Sequence, residues 1–333
     1  MKKPQTSNSN IQSQGWEQSD AKSRPFRAVR FDWGSFAGRG ATGLATVLIV
    51  AILAVILGNI VIEAVPHLSW RLVSTGTATD MFDVNKAGIF PMIYGTTARV
   101  MLMTVFVLPA GVLTAIYLTE YARMNSPLTR IIRSAVNNLA GVPSIVFGLF
   151  GAGFFVRFIG KQMDGVLYPA KAATVWGQPA LLWASATLAV MTLPVVIVAT
   201  EEALRAIPQG LREASLALGA TKLETIIKIV MPQAIPGIMT GAILAISRAA
   251  GEVAPILFTG AAYYMADLPK SLHDQFMDLG YHVFILSTQS PDVDKTRPLL
   301  YATVFVLLIL TFALNIVAIF VRANMRRKMR MLN

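Results

Sequence analysis

In the stretch Ile246-Ser247-Arg248-Ala249-Ala250-Gly251-Glu252, a guanidinium and a carboxylate stand four residues apart within an otherwise apolar run. At that spacing they share one face of a helix and can pair. Arg248 lies eleven residues from the start of the apolar stretch 237–263 and fifteen from its end. At about 1.5 Å per residue, that is roughly 16 Å from one end and 22 Å from the other. This is too deep for easy snorkelling, and an uncompensated arginine there costs about 2.5–3.5 kcal/mol. Two chemistries fit. The pair can be a fixed ionic lock between packed helices. Alternatively, Arg248 receives an anion, and Glu252 holds it in the empty state. A guanidinium offers a permanent charge and a planar fork matched to tetrahedral oxyanions. A phosphate-like anion would then replace a carboxylate, and desolvation stays tolerable in both states.

A second constellation lies between residues 206 and 235. Pro208 suits the first turn of a helix running through Leu218, and Gly219 suits the left-handed position after a helix end. Thr221-Lys222-Leu223-Glu224 reads as a capping box that starts another helix, with Pro232 as its stop. The result is a compact two-helix knob. It contains Glu213-Ala214-Ser215, three residues, Gly219, nine residues, Ile229, one residue, then Met231-Pro232. This resembles the EAA loop of ABC-importer permeases, departing from that pattern only at Ser215 and Met231. The resemblance implies that Glu213, Ala214, Ser215, Gly219, Ile229 and Pro232 belong to a coupling loop that docks on a cytoplasmic ATPase. The chain has no G-x-x-x-x-G-K-[ST] phosphate loop, so ATP chemistry falls to another subunit.

Three further runs sharpen the resemblance: Ala115-Ile116-Tyr117-Leu118-Thr119-Glu120-Tyr121-Ala122, Gly141-Val142-Pro143-Ser144-Ile145-Val146-Phe147-Gly148-Leu149-Phe150, and Arg248 through Gly260. Together with the EAA loop they are similar to the A-type permease subunits of phosphate-specific ABC importers, over roughly residues 88–322. This implies an all-α membrane protein with the six-helix, MetI-like fold of type I importer permeases. It also implies a place in the bacterial cytoplasmic (inner) membrane as half of a translocation pathway. The implied partners are a second related permease, two ATP-binding subunits, an extracytoplasmic phosphate-binding protein, phosphate and the bilayer. No cofactor is expected on this chain itself, because the partner ATPase uses the ATP and Mg. By the same resemblance, Arg248 and Glu252 take the places of a charged pair implicated in phosphate passage. Another oxyanion (molybdate, sulfate or phosphonate) is the alternative cargo, and a passive channel or scaffold is the alternative class.

The elements that must position these residues are membrane spans. Hydrophobic residues make up 54% of the 333-residue chain and charged residues 14%, against about 25% charged in a soluble domain. Without cysteine, disulfide and cysteine-ligated metal chemistry are excluded. Six stretches have the required length of about 20 apolar residues: 41–65, 96–118, 134–158, 181–200, 237–263 and 299–321. With the N-terminus inside, nineteen of the 29 lysines and arginines fall in inner segments and seven in outer ones. That asymmetry predicts both termini in the cytoplasm and accounts for most of the +11 net charge without nucleic acid. Residues 1–40 are expected to be a cytoplasmic tail without a signal peptide, 41–322 the transmembrane domain, and 323–333 a basic cytoplasmic end.

The other ionisable residues receive plainer expectations. Arg99, near the outer end of the second span, either snorkels outward or lines an anion vestibule, and it joins the candidate pathway with Arg248, Glu252 and Ser144. Arg157 beside Lys161 reads as an interfacial anchor. Glycines through the third span indicate either tight packing or unwound backbone along the pathway. Leu272, Phe276, Leu279, Val283 and Leu286 predict an outer amphipathic helix, with His273, Asp274, Asp278 and His282 on its solvated face. His273 and His282 lack metal-ligand spacing.

Overall fold

The computed structural model describes residues 33–76, 82, 86–123, 125–169 and 174–330. Most of the predicted tail, residues 1–32, lies outside them. The chain divides into two units, one ending at Val55 and the other beginning at Ile56. The described part of the first unit is helix α1 (Trp33–Ala64) up to Val55. Leu44, Val47 and Val55 are among its exposed apolar side chains. A helix apolar on every face suits a lipid environment.

The second unit continues α1 into a short turn and α2 (Trp70–Ser74), then α3 (Phe90–Ile116), which runs on in wider turns through Tyr117–Tyr121. Next come α4 (Pro127–Ala140), α5 (Ser144–Gly151), wider turns over Ala152–Gly160, α6 (Lys161–Leu167) and α7 (Leu181–Arg205). The knob follows as α8 (Gln209–Ala217) and α9 (Lys222–Thr225), which leads through Ile226–Val230 into α10 (Met231–Gly251). Last are α11 (Ile256–Thr259), α12 (Leu279–Thr288) and α13 (Val293–Arg330). The only extended pairing among the described residues is an isolated parallel bridge, Ala261 with Phe276.

Helix α7 is the hub, packed against α3, α5 and α10, while α13 covers α10 and α12. The core between them includes Val100, Met103 and Val107 of α3, Leu188 and Val196 of α7, and Ala245, Ala249 and Ala250 of α10. The alanines leave little side chain between helices, so backbones approach closely where water cannot drive packing.

Six helical segments are long and apolar enough to cross a membrane: Gly34–His67, Phe90–Tyr121, Ser144–Leu167, Leu181–Arg205, Lys222–Gly251 and Val293–Arg327. Their number matches the sequence reading, but the boundaries move, most in the third and fifth spans. Residues 134–140 belong to α4, a strongly amphipathic helix, and Gly141-Val142-Pro143 separates it from the span. The third span stays wound through Leu167, and two of its glycines serve packing: Gly148 abuts Ala254 and Pro255, and Gly151 abuts Thr187 and Thr259, while Gly153 faces open space. The fifth span begins at Lys222 and ends at Gly251, twelve residues before its predicted end. Arg248 therefore sits in the last turn of α10, not at mid-helix.

Pro232 does not stop the second knob helix. The i→i+5 turns over Ile226–Val230 change the hydrogen-bond register, and Pro232 falls in the first turn of the next α segment, where a missing N–H is tolerated. The outer helix is shorter than expected. Residues 272–278 are irregular, and only Leu279–Thr288 is helical. Asp278 and His282 are buried, because α12 packs against both α3 and α13 and leaves them no free face.

Candidate functional site

Two arginine–carboxylate pairs bracket the end of α10. In the first, Arg248 Nε lies 3.4 Å from Glu252 Oε1, with the side chains 46% and 22% exposed. Glu252 has already left the helix, with φ −81° and ψ 126°. Ser247, one residue earlier, bonds Asn315 of α13 at 2.8 Å and anchors this turn from behind. Ser144, at the first residue of α5, is partly exposed.

The second pair overturns the expectation for Arg99, which neither snorkels nor faces a vestibule. Its side chain and that of Asp278 are fully enclosed, with Nη2 2.8 Å from Asp278 Oδ2. Arg99 Nε donates to the same oxygen at 3.0 Å, and Nη1 donates to the Ala249 carbonyl at 2.8 Å. Longer contacts reach the carbonyls of Ala250 (3.4 Å) and Glu252 (3.5 Å). Asp278 also accepts Thr96 Oγ1 at 2.9 Å and caps α12 by accepting Tyr281 N at 3.2 Å. The close approach needs Gly95, where a side chain would collide with the Met277 backbone. The last carbonyls of a helix have no partner of their own, and here a cation supplies one at the negative end of the dipole. The sequence placed Asp278 on a solvated helix face and showed no sign of its pairing with a residue 179 positions earlier.

At the other end of the helical segment Lys222–Gly251, the knob is densely hydrogen-bonded. Gly219 takes φ +86°, the turn the sequence required. The capping box is complete: Glu224 N donates to Thr221 Oγ1 at 3.3 Å, and Thr221 N donates to Glu224 Oε2 at 3.0 Å. Ser215 Oγ meets the buried Thr225 Oγ1 at 2.9 Å, joining α8 to α9. Arg212 roots α8 by donating to the carbonyls of Leu204 and Ile207, each at 2.7 Å, and to Glu120 at 3.0 Å. Lys222 donates to the Glu120 carbonyl, and Glu201 takes Arg133 and Arg205, each at 2.9 Å. Glu213 and Ala214 are exposed, while Ile229 is half-buried. Leu211, Leu216, Leu218 and Leu223 are exposed as well, an apolar face on a charged knob. The root formed by Glu120, Glu201 and Arg212 was missed in the sequence, since its partners lie up to 92 residues apart.

Arg157 is exposed, as an anchor would be. His273 stacks edge-on against Trp176 at 5.4 Å. Among the described residues no three His, Cys, Asp or Glu side chains could hold a metal.

The family described as "Binding-protein-dependent transport system inner membrane component" matches residues 107–331, from α3 through α13. The chain belongs to this family. As a permease of the inner membrane it crosses the bilayer several times. It is 34% identical over 220 residues to a probable ABC transporter permease protein, YqgI, of Bacillus subtilis, covering 66% of this chain and 68% of the relative. It is 33% identical over 244 residues to the phosphate transport system permease protein PstA 1 of Mycobacterium tuberculosis, covering 73% and 72%. In fold, the permease is similar to a chain of a bacterial alginate ABC transporter solved with a substrate-bound periplasmic protein. That likeness has a TM-score of 0.58 at 13% identity and covers 89% of this chain and 97% of that one.

Proposed function

We propose that this permease is the A-type membrane subunit of an ATP-driven phosphate importer, forming half of the pathway and coupling to a cytoplasmic ATPase. The observation that carries the cargo is the contrast in availability at the end of α10. Every strong donor of Arg99 is spent inside the protein, while Arg248 keeps an open fork with a single carboxylate beside it. Curated relatives whose names state phosphate transport support the same reading.

The lysine and arginine asymmetry supports a cytoplasmic position for both termini and the α8–α9 knob. A second related permease completes the pathway, two ATP-binding subunits receive the two knobs, and an extracytoplasmic binding protein delivers phosphate. Lys222–Gly251 is a continuous helical segment of 30 residues, about 45 Å long, with the knob at one end and Arg248 at the other. A rigid knob on a continuous rod carries a displacement that a hinge would absorb. Closure of the ATPase therefore re-aims the end of α10, and phosphate exchanges with Glu252 on Arg248 as access alternates.

The test is uptake of labelled phosphate by the reconstituted complex carrying Arg248→Gln. Loss of a charge-assisted contact worth about 1.5–3 kcal/mol predicts a fall of roughly tenfold to a hundredfold at an unchanged level of assembled complex. Uptake within twofold of the parent overturns the role of Arg248. Stronger competition by molybdate, sulfate or a phosphonate than by unlabelled phosphate reassigns the cargo.

A further inference from the structure

We infer that Arg99 and Asp278 are positioning residues, a clamp that sets how Arg248 and Glu252 are presented. The inference rests on the reading of those two residues as the anion-receiving pair. It goes beyond it by assigning control of their geometry to side chains that never meet the anion.

The end of α10 lacks the usual means of closing a helix. Glu252 is extended, and no left-handed glycine follows Gly251 to fold the backbone back over its own carbonyls. The single local bond is Glu252 N to the Ala249 carbonyl at 3.3 Å. The remaining partners come from α3, where one guanidinium spans the carbonyls of Ala249, Ala250 and Glu252. These backbone groups immediately follow Arg248 or belong to Glu252, so the fork of Arg99 fixes the path on which both side chains are mounted. Helix α10 could continue or unwind at this point, and the clamp selects one course.

Asp278 extends the clamp to the other side. Its Oδ2 gathers Arg99 and Thr96, its Oδ1 caps α12, and Thr96 in turn accepts Leu279 N at 3.0 Å. Ser185 of α7 donates to the Arg99 carbonyl at 3.2 Å. The ends of α10 and α12 thus meet α3 on one ion pair, while α7 holds the backbone of Arg99. A shift of the loop leading into α12 must move Arg99, and with it the carbonyls under Arg248. All the strong donors and acceptors of the pair are occupied and enclosed, so it acts through the backbone and not as a stepping stone for the anion.

The chain has no cysteine, which makes a direct readout available. Gly251 is exposed with open space where a Cβ would stand, so Gly251→Cys introduces the one thiol of this chain beside Glu252. In the assembled complex, without phosphate, its reaction with N-ethylmaleimide is followed by the mass shift of this chain. Two further variants are built on that background. Arg99→Lys keeps a charge against Asp278 but loses the fork over the carbonyls. Arg99→Met with Asp278→Leu removes both charges together, which buried pairs tolerate better than removal of one.

The expected result is a labelling rate changed at least fivefold in both, with phosphate moved per ATP hydrolysed reduced at least fivefold in Arg99→Lys. A merely structural role would lower the amount of assembled complex and leave the rate of the assembled fraction unchanged. Parental labelling and coupling in Arg99→Lys overturn the clamp, whether or not the double variant assembles. Altered labelling together with normal uptake in Arg248→Gln would keep the clamp and sink the anion reading, so the two failures are separable.

Discussion

Two pairs of the same chemistry meet at the last turn of α10 and share almost nothing else. Arg99 and Asp278 lie 179 residues apart in sequence, touch at 2.8 Å and exclude solvent completely. Arg248 and Glu252 come from one turn of chain, stand 3.4 Å apart and remain open. Intramembrane charge by itself therefore says little about role. What separates a clamp from a receiving group is how many of its donors the fold has already consumed. For Arg99 the answer is all of the strong ones, and for Arg248 it is a single ion pair.

The comparison is broken most directly by removing one carboxylate from each pair. Asp278→Ala leaves a guanidinium enclosed without its counter-charge and also removes the cap of α12. Such a loss costs about 3–5 kcal/mol, enough to deplete the assembled complex from the membrane. The measurement is the amount and melting temperature of the purified complex. If Asp278→Ala assembles and melts like the parent, solvent or a partner reaches the pair and it is not enclosed.

That asymmetry also explains what the sequence could and could not reveal. The knob was legible because its determinants are local. Gly219 needs a left-handed turn, Thr221 and Glu224 cap each other across three residues, and the EAA spacing spans only twenty. The count of six spans was legible because hydrophobic length is additive along the chain. Arg99 was not legible. Near the end of an apolar run an arginine looks free to reach water, and nothing nearby announces a carboxylate 179 residues later. Asp278 was misassigned for a related reason. A stripe of apolar residues implies an opposite wet face, but α12 is covered on more than one side. Pro232 failed differently, since a proline ends a helix only where the hydrogen-bond register demands its N–H, and the wider turns before it remove that demand.

A milder perturbation of the enclosed region alone comes from acid. His282 lies one turn beyond Asp278, with its backbone N–H on the Asp278 carbonyl at 2.9 Å. Neither ring nitrogen has a partner, and burial pushes its pKa down from 6.5 to about 4. Between those values the unfolded chain takes up a proton that the folded protein refuses. The stability is complete above pH 6.5 and is lost as the pH falls through about 4. At pH 5.5 the loss is on the order of 1 kcal/mol, and His282→Phe removes it. The check is the difference in melting temperature between pH 7.5 and 5.5 for the parent, His282→Phe and Arg248→Gln complexes. Only the first substitution is expected to flatten the slope. An unchanged slope in His282→Phe means that the ring finds a partner in the assembled complex.

The smallest effect on stability is expected from the carboxylate that matters most to the proposed exchange. Glu252→Gln deletes an ion pair that is long and half open to solvent, and exposed pairs contribute about 0–1 kcal/mol. Melting of the complex should move by only about 2–4 °C at most, far less than for Asp278→Ala. The backbone of residue 252 keeps its place under Arg99, because that contact uses the carbonyl and not the side chain. A glutamine also fills the same volume, so any large loss of stability has to come from charge. If Glu252→Gln proved as damaging as Asp278→Ala, the carboxylate would be enclosed once the second permease is seated. The open pair would then be a second lock, and the distinction between a clamp and a receiving group would have to be sought elsewhere along the rod.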